Sequence, residues 1–288
     1  MFLNPFSFAM RSKTLLCVFV PDNRIKTWEI LLIRMKKIIS YNVNGLRSAI
    51  SKGFMEWLDA EKPDVICLQE TKMQENQVDK MSFEFLGYHQ IWHSAIKKGY
   101  SGVAVLSRQK PDSWSIGIGI PEFDYEGRLI CAEIDGLTIV NSYFPSGTTG
   151  DIRQAVKMQY LDAIYEYLLR LKTTRKNIVL SGDYNIAHKP IDINHPERHL
   201  KSSGFLPEER EWMDRLTALG FVDTFRVFNQ QPEQYSWWSY RAGSRGKNLG
   251  WRLDYHMASE NMKQSLLDAG ILQGIVHSDH CPVYVLLK

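Results

Sequence analysis

The sequence lacks any apolar run long enough to cross a membrane. A helix that spans a bilayer needs about 20 consecutive apolar residues, and no hydrophobic run in this 288-residue chain approaches that length. Cysteine is scarce, and Cys17, Cys67, Cys131 and Cys281 form neither a CxxC pair nor a zinc-type spacing. Because Cys67 and Cys131 lie in apolar runs, we predict buried, reduced thiols. We therefore expect a soluble protein of a reducing, cytoplasmic compartment.

The sequence also lacks Gly/Ser-rich or Pro-rich linkers and low-complexity segments, which favours one domain over several tethered ones. Net charge is small, and residues 1–34, with five basic and two acidic residues, carry all of the +3. Overall charge therefore gives no argument for nucleic-acid binding, which must come from local clusters. The 44% hydrophobic and 12% aromatic content is sufficient for a large core and argues against disorder.

Met35 opens the segment MKKIISYNVNG, which leads directly into a predicted strand. We therefore predict that residues 1–34 are an N-terminal extension that is either poorly ordered or not native. Residues 35–288 would then form a single domain.

Short apolar runs rich in β-branched and aromatic residues predict β-strands. They lie at residues 37–43, 65–68, 103–106, 129–134, 137–144 and 178–180, with later candidates at 235–240, 252–257 and 282–287. A stripe of period four predicts a helix through Val156, Tyr160, Ile164 and Leu168. Two further helices are expected near residues 55–58 and over residues 208–219. This order predicts an α/β fold in which two sheets pack face to face with helices outside.

Polar clusters follow the predicted strands, where functional sites of packed sheets are commonly found. They contain Asn42 and Asn44, then Glu70, then Asp183 and Asn185, and near the C-terminus Asp254, Asp279 and His280. Each cluster alone has a simpler interpretation as a turn, a solvated ion pair or a structural histidine. Five in this order are hard to explain as turns. Residues 40–44 and 181–185 also echo each other, which would fit two halves that meet at one site.

Phosphodiester hydrolysis is a reaction that would use all of these residue types. It requires an activated water, charge neutralisation on the phosphoryl oxygens and a stabilised leaving group. A hard cation such as Mg²⁺ prefers carboxylate and carbonyl oxygens. Asp183 can orient or deprotonate the water, and Asp254 can fix the tautomer of His280. Glu70 is the strongest candidate metal ligand, with Asn44 and Asp279 beside it.

Narrower motifs accompany these clusters: LQETK at 68–72, GYSGVA at 99–104, EGR at 126–128, SGDYN at 181–185 and GWRLDY at 250–255. With them, residues 36–288 resemble the exonuclease III family of abasic-site (AP) endonucleases, within the endonuclease–exonuclease–phosphatase superfamily. The resemblance implies a DNase I-like four-layer α/β sandwich, in which two mixed sheets are flanked by helices. It also implies a Mg²⁺-dependent DNA-repair nuclease, with Mn²⁺ as a substitute. Its activities would be cleavage 5′ to an abasic site, 3′-to-5′ exodeoxyribonuclease activity and 3′-end cleaning.

The same resemblance assigns roles to individual residues. The implied catalytic set is Asp183, His280, Asp254, Tyr143, Asn185 and Asn42, and the implied metal ligands are Glu70, Asn44 and Asp279. Asp183 would position the attacking water, and Tyr143 would contact the scissile phosphate. The family often has Asp where Asn44 stands, so this metal site carries one charge less.

Substrate choice depends on three apolar residues, Trp237, Trp251 and Leu253, which by resemblance form a pocket for a flipped sugar without a base. The simpler interpretation is that the tryptophans are core residues. Alternation along a strand predicts that Trp237 and Trp238 point in opposite directions, so that one of them is core. Phosphate contacts are predicted for Arg47, Lys72, Arg128, Arg245, Lys247 and Arg252. The expected partner is double-stranded DNA with abasic sites or blocked 3′ ends, bound by a monomer and without a membrane.

One segment departs from the family pattern. Some relatives have Asn where Ser146 stands and a basic residue nearby that probes the duplex, and neither is present here. The balance between endonuclease and exonuclease activity is therefore open. Two alternatives also remain at this stage: a non-catalytic nucleic-acid-binding regulator on the same fold, and a phosphatase for a small ligand.

Overall fold

The computed structural model describes residues 35–288. Within that range the strands form two six-stranded sheets and one two-stranded ribbon. The prediction for residues 1–34, and Cys17 with it, lies outside the described residues. No helix in the described range is long and apolar enough to span a bilayer.

The first sheet has the strand order β13–β14–β1–β2–β4–β3. Its strands are β1 (Lys36–Asn42), β2 (Val65–Gln69), β3 (His89–His93), β4 (Val103–Ser107), β13 (Leu266–Ile271) and β14 (Val283–Leu287). β1 and β2 are parallel, with Asn42 opposite Gln69, whereas the other neighbours are antiparallel. The parallel pair brings two polar strand ends to the same edge of the sheet.

The second sheet has the strand order β5–β6–β7–β8–β12–β9. Its strands are β5 (Ser113–Ile116), β6 (Leu129–Ile134), β7 (Leu137–Tyr143), β8 (Ile178–Asp183), β9 (Phe221–Asp223) and β12 (Asp254–Ser259). β7 and β8 are parallel, so that Tyr143 lies opposite Asp183. β12 runs antiparallel to β8 and places Asp254 opposite Asp183 as well. The ribbon pairs β10 (Trp237–Trp238) with β11 (Gly250–Trp251).

The α-helices of the described range are α1 (Leu46–Ile50), α2 (Phe54–Glu61), α3 (Lys80–Phe85), α4 (Pro121–Asp124), α5 (Asp151–Thr174), α6 (Pro207–Ala218) and α7 (Thr224–Phe228). All three predicted helices are confirmed as α2, α5 and α6. In α5 the stripe Tyr160, Ile164 and Leu168 is fully buried, as its period of four requires. Pro207 begins α6, where a missing N–H leaves no helical hydrogen bond unmade.

Three apolar layers separate four layers of secondary structure, which confirms the predicted sandwich. Ile38, Cys67 and Val179 belong to the core between the two sheets. Ile39 and Leu68, the alternate residues of β1 and β2, face α1, α2 and α3. Leu180 and its neighbours on the second sheet pack against α5 and α6. Both faces of the central strands are buried, which explains why their sequences read as continuous apolar runs.

Several strand predictions need correction. The strand expected at 235–240 is only Trp237–Trp238, and the strand expected at 252–257 begins at Asp254. The backbone N–H of Arg252 donates to Asp192 instead of a sheet neighbour, and that of Trp238 donates to Asp279. Strands β3, β5, β9 and β13 had no prediction. In β5 every residue is exposed, so no buried apolar pattern marks it in the sequence.

Candidate active site

The polar ends of β1, β2, β7 and β8 and the start of β12 meet at one edge of the sandwich. Asn42 joins the two sheets there, because its Nδ2 donates to Asp183 Oδ2 at 2.8 Å and to Glu70 Oε2 at 3.1 Å. Asn42 and Asp183 lie 141 residues apart in the chain. The similarity of residues 40–44 and 181–185 therefore corresponds to two strand ends that face each other across one site.

Asp183 is the central carboxylate of this edge and is 1% exposed. Its Oδ1 accepts the backbone N–H of Asn185 at 2.9 Å, and its Oδ2 accepts the Asn42 amide. Burial, together with the nearby charge of Asp254, raises the pKa of Asp183 above its ordinary value, against the opposing effect of His280. An aspartate with a raised pKa gains and loses its proton closer to neutral pH than an exposed aspartate does.

His280 is held by two carboxylates. Its Nδ1 lies 2.8 Å from Asp254 Oδ2, and its Nε2 lies 3.8 Å from Asp183 Oδ2. Burial disfavours the charged ring, but Asp254 and then Asp183 outweigh it and raise the pKa of His280. The ring is therefore protonated on both nitrogens, so that Nδ1–H donates to Asp254, as in catalytic triads, and Nε2–H faces Asp183.

Glu70, Asn44 and Asp279 form a cradle of oxygen atoms beside Asp183. The Nζ of Lys72 lies 2.9 Å from Glu70 Oε1 and also donates to Asn44 Oδ1. Asn44 Nδ2 in turn donates to Asp279 Oδ1 at 2.9 Å. A positive group thus already stands where two of these oxygens converge. Carboxylate and amide oxygens are donors that suit a hard cation, so the residues fit the expected metal.

The backbone at this cradle is unusual. Asn44, Glu70 and Lys72 have φ values of 43°, 55° and 53°, in the left-handed region that side chains rarely adopt. Backbone hydrogen bonds hold these conformations, including Gly45 N to Glu70 O at 2.8 Å. Such strain persists only where the surroundings determine it, and it clusters at functional sites.

A second group of atoms, from Asp183, Asp254 and His280, also lies close enough to hold an ion, within 4.8 Å of one another. We assign these three to proton chemistry instead. Asp254 Oδ2 already accepts from His280 Nδ1 and from Ser236 Oγ at 2.6 Å.

Tyr143 closes the site on the side of β7. Burial, followed by the charges of Glu70 and Asp183, raises the pKa of its phenol well above the ordinary value. The hydroxyl therefore stays protonated and is available as a donor. The Arg128 guanidinium lies 5.1 Å from the Tyr143 ring centroid and donates to the Tyr143 carbonyl at 2.8 Å, which fixes the ring from behind.

An apolar cluster adjoins these polar groups. The Trp237 and Trp251 rings meet edge to face at 6.2 Å, and together they pack on buried Ala187, Ile193, Phe205 and Leu253. Trp237 Nε1 donates to Asp279 Oδ2 at 3.0 Å, so that the apolar cluster directly borders the oxygen cradle. Trp238 is 3% exposed and belongs to a separate core cluster. The prediction that one of the adjacent tryptophans is core is therefore confirmed.

Two of the six basic residues predicted to contact DNA, Arg252 and Arg128, are buried and paired within the protein, which corrects those two predictions. Arg252 is 1% exposed and pairs with Asp192 at 2.8 Å and Asp223 at 2.6 Å. Arg128 is 2% exposed and pairs with Glu126 at 2.6 Å. Arg245 donates to three carbonyls, of Ser278, Gln273 and Ile275. Arg245, however, is only partly buried and uses three of its five N–H donors in these bonds, so its contact with DNA stays a prediction.

The other three basic residues differ from these. Lys72 belongs to the oxygen cradle, whereas Arg47 on α1 and Lys247 beside β11 are exposed. Ser236 was not predicted, although its Oγ also accepts the backbone N–H groups of Leu253 and Asp254. His199 was also missed, and its ring lies 4.9 Å from that of Trp251. A serine before two tryptophans and a loop histidine carry no sequence signal for these contacts.

A buried carboxylate, a charged histidine and an oxygen cradle within one cleft suit the attack of water on a phosphate ester, so the fold and the site define a phosphate-ester hydrolase. The profile of the Endonuclease/Exonuclease/phosphatase family matches residues 39–280. The chain belongs to this family, in its branch of exodeoxyribonucleases and AP endonucleases. It is thus a hydrolytic DNA-repair nuclease of a metal-dependent family, and the predicted resemblance is confirmed.

Individual relatives agree with this assignment. An exodeoxyribonuclease of Bacillus subtilis (strain 168) is 44% identical over 254 residues, which cover 88% of this chain and 99% of the relative. The structure of an AP endonuclease from Archaeoglobus fulgidus superposes with a TM-score of 0.81 at 31% identity, over 88% of this chain and 99% of the other. A 3′ phosphatase from Neisseria bound to a product DNA hairpin superposes with a TM-score of 0.83 at 28% identity, with the same coverage.

Proposed function

We propose that this nuclease hydrolyses the phosphodiester bond 5′ to an abasic site in duplex DNA, with Mg²⁺ as cofactor. We further propose 3′-to-5′ exodeoxyribonuclease and 3′-end cleaning activities at the same site. The observation that carries the proposal is the position of the apolar Trp237–Trp251–Leu253 cluster, whose exposed side we propose as a concavity for the sugar. It borders Asp279 through the Trp237 hydrogen bond, and the rings of Trp237 and His280 lie 6.4 Å apart.

The concavity supports a preference for nucleotides that lack a base. Extruding a nucleotide from the helix costs least where no base is stacked or paired. A bare deoxyribose presents an apolar, compact surface to the two indoles and to Leu253, which is 6% exposed. A base would have to enter the space that the edge-to-face ring pair occupies. Both effects favour the abasic nucleotide over an ordinary one.

In the proposed reaction, ionised Asp183 orients the attacking water and accepts its proton. Asn42 and Asn185 hold this carboxylate, and their amides support the phosphate and the nucleophile. The protonated Nε2 of His280, kept charged by Asp254, donates to a phosphoryl oxygen as negative charge develops. The Tyr143 hydroxyl donates to the same phosphate.

Glu70, Asn44 and Asp279 would hold the metal ion. Bound Mg²⁺ would supply charge neutralisation at the phosphoryl oxygens and at the leaving oxygen. Lys72, which donates to both Glu70 and Asn44, would be displaced toward the phosphate or share the ligands with the ion. Mn²⁺ would substitute, because it also prefers oxygen ligands.

We assign phosphate contacts along the duplex to the exposed Arg47 on α1, three residues after Asn44, and to the exposed Lys247, in the turn before β11. Such contacts fix the register of the enzyme on DNA without reading its sequence. We also propose that the protein acts as a monomer, which light scattering in solution would test.

The test is incision of an end-labelled duplex with one tetrahydrofuran abasic analogue, in Mg²⁺ or in chelator. Wild type should cut on the 5′ side of the lesion only with Mg²⁺. Asp183→Asn should lose about 10²- to 10⁴-fold in rate because the proton acceptor is gone. Asp162→Asn is the matched control, since that carboxylate is exposed on α5 and 69% accessible, and it should cut normally. Wild type that binds the duplex with Mg²⁺ but leaves it intact would refute the proposal.

A further inference from the structure

Helices α5 and α6 share an ion pair in the core beneath the site. Lys157 Nζ lies 2.6 Å from Glu209 Oε1, and both side chains are 0% exposed. Taking two charges out of water is costly, and apolar replacements of buried pairs are often neutral or stabilising. Stability alone is therefore a weak explanation for this ion pair. The other groups that the two side chains bind indicate a different role.

Lys157 contacts the loop that follows β8, residues 184–189, which we call the catalytic loop. Its Nζ donates to the carbonyl of Asn185 at 2.7 Å. Asn185 is the residue whose N–H binds Asp183 Oδ1, and its φ of 53° is left-handed. The ammonium therefore holds the peptide group that follows this strained residue, two positions beyond the carboxylate that the reaction uses.

Glu209 contacts residues 204–206. This segment packs against Trp251, and we call the segment and that ring the Trp251 wall. Glu209 Oε2 accepts the backbone N–H groups of Gly204 at 2.7 Å and Leu206 at 3.0 Å. Gly204 packs so closely on Trp251 that an added Cβ would lie 2.9 Å from Trp251 Cζ3. The Gly204 carbonyl also accepts the N–H of Ala187, in the catalytic loop, at 2.7 Å. The wall and the loop are thus tied to one charged pair.

We propose that Lys157 and Glu209 are positioning residues that hold the catalytic loop and the Trp251 wall in fixed register. The inference rests on the roles proposed above for Asn185 and for the concavity. The ammonium provides donors for both Asn185 O and Glu209, and the carboxylate accepts two backbone N–H groups at once. No uncharged pair of this size offers that set of bonds. A sugar bound against Trp251 would then lie beside an Asp183 that is already held in place for the reaction.

The test measures kcat and KM on an abasic duplex and on an undamaged duplex with a recessed 3′ end, together with the thermal midpoint of unfolding. The variants are Lys157→Met, Lys157→Arg and the double variant Lys157→Met/Glu209→Gln. Asp162→Asn is the control, because Asp162 and Arg215 form an exposed pair at 3.5 Å between the same two helices. All rates are compared at a temperature at which each variant is folded.

We expect Lys157→Met to lower kcat on both duplexes by about 10- to 100-fold, the range expected for misplaced catalytic groups, with a smaller change in KM. Lys157→Arg should restore most of kcat, since a guanidinium can still donate to Asn185 O. The double variant removes the unpaired carboxylate, so it should regain thermal stability but not kcat. Asp162→Asn should stay within about twofold of wild type, as expected where no such contact is lost.

Two results would overturn the inference. One is a folded Lys157→Met variant with the kcat of wild type. The other is a double variant in which kcat returns together with the thermal midpoint, which would mean that the pair acts on stability alone. A wild type that degrades undamaged DNA but ignores the abasic duplex would refute the proposed substrate instead. The kcat comparison on undamaged DNA would still test the ion pair.

Discussion

Removal of the Asp254 carboxylate gives a sharp test of the proposed chemistry. Asp254→Asn keeps the shape of a residue that lies 2.8 Å from His280 Nδ1 but deletes its charge. Burial alone lowers the pKa of His280, and Asp254 is the largest of the groups that raise it. The variant should therefore lose the proton on His280 at a lower pH than the wild type does.

The size of the loss follows from this shift. The protonated fraction falls tenfold for each pH unit above the lowered pKa, so the loss grows as the pH rises. The amide also favours the wrong histidine tautomer, which in a related dyad accounts for much of a loss of about 10⁴-fold.

Because the pKa of His280 falls, the alkaline limb of the rate profile should move toward acid. The assay is single-turnover incision of the abasic duplex from about pH 5 to pH 9 at saturating Mg²⁺. Asp162→Asn, which also deletes one carboxylate but at the surface, should keep the wild-type profile. An Asp254→Asn profile with unchanged inflections, or one displaced toward alkaline pH, would refute the assignment of His280 as the charged donor.

Three other variants test separate parts of the molecule. Trp251→Ala should reduce the preference for abasic over undamaged duplex, measured as a ratio of kcat/KM values, because the widened concavity admits a base. An unchanged ratio would show that the concavity does not determine substrate choice. Glu70→Gln should raise the Mg²⁺ concentration for half-maximal rate, and titration of activity with Mg²⁺ would show no change if Glu70 is not a ligand. Arg252→Met removes the arginine that pairs with Asp223 and one of the two that pair with Asp192, so it should cost about 3 kcal/mol in urea unfolding, whereas a DNA-contact role predicts lost binding with normal stability.

The pH dependence of the wild type follows from the same groups. Activity needs Asp183 ionised, and burial raises the pKa of that carboxyl, so the rate should rise with pH toward neutrality instead of levelling off in the acid range. It should fall again only at alkaline pH, where His280, whose pKa is raised, loses its proton. A rate that is constant from about pH 4 to pH 7 would contradict the role of Asp183.

Much of the fold was predictable from sequence because buried strands and amphipathic helices have local patterns. The parallel strands β1 and β8 appear as apolar runs that end in polar residues, and the stripe on α5 follows from helical geometry alone. Edge strands such as β5 were missed because an exposed strand carries no buried pattern. The ribbon strand at Trp237 was predicted too long, since its neighbours bond to distant backbone instead of to a sheet.

The sequence by itself determined the family and the residues of the cleft, because motifs such as SGDYN and GWRLDY place chemistry next to strand ends. Only the tertiary structure determined which charged side chains pair within the protein and which are available to bind DNA. Arg252 stands between two pocket residues in sequence, yet its guanidinium is buried against Asp192. Likewise Lys157 joins Glu209 across 52 residues of chain. Pairing of this kind depends on how the layers pack, because the partners are distant in sequence and no local pattern records which face a charged side chain will meet.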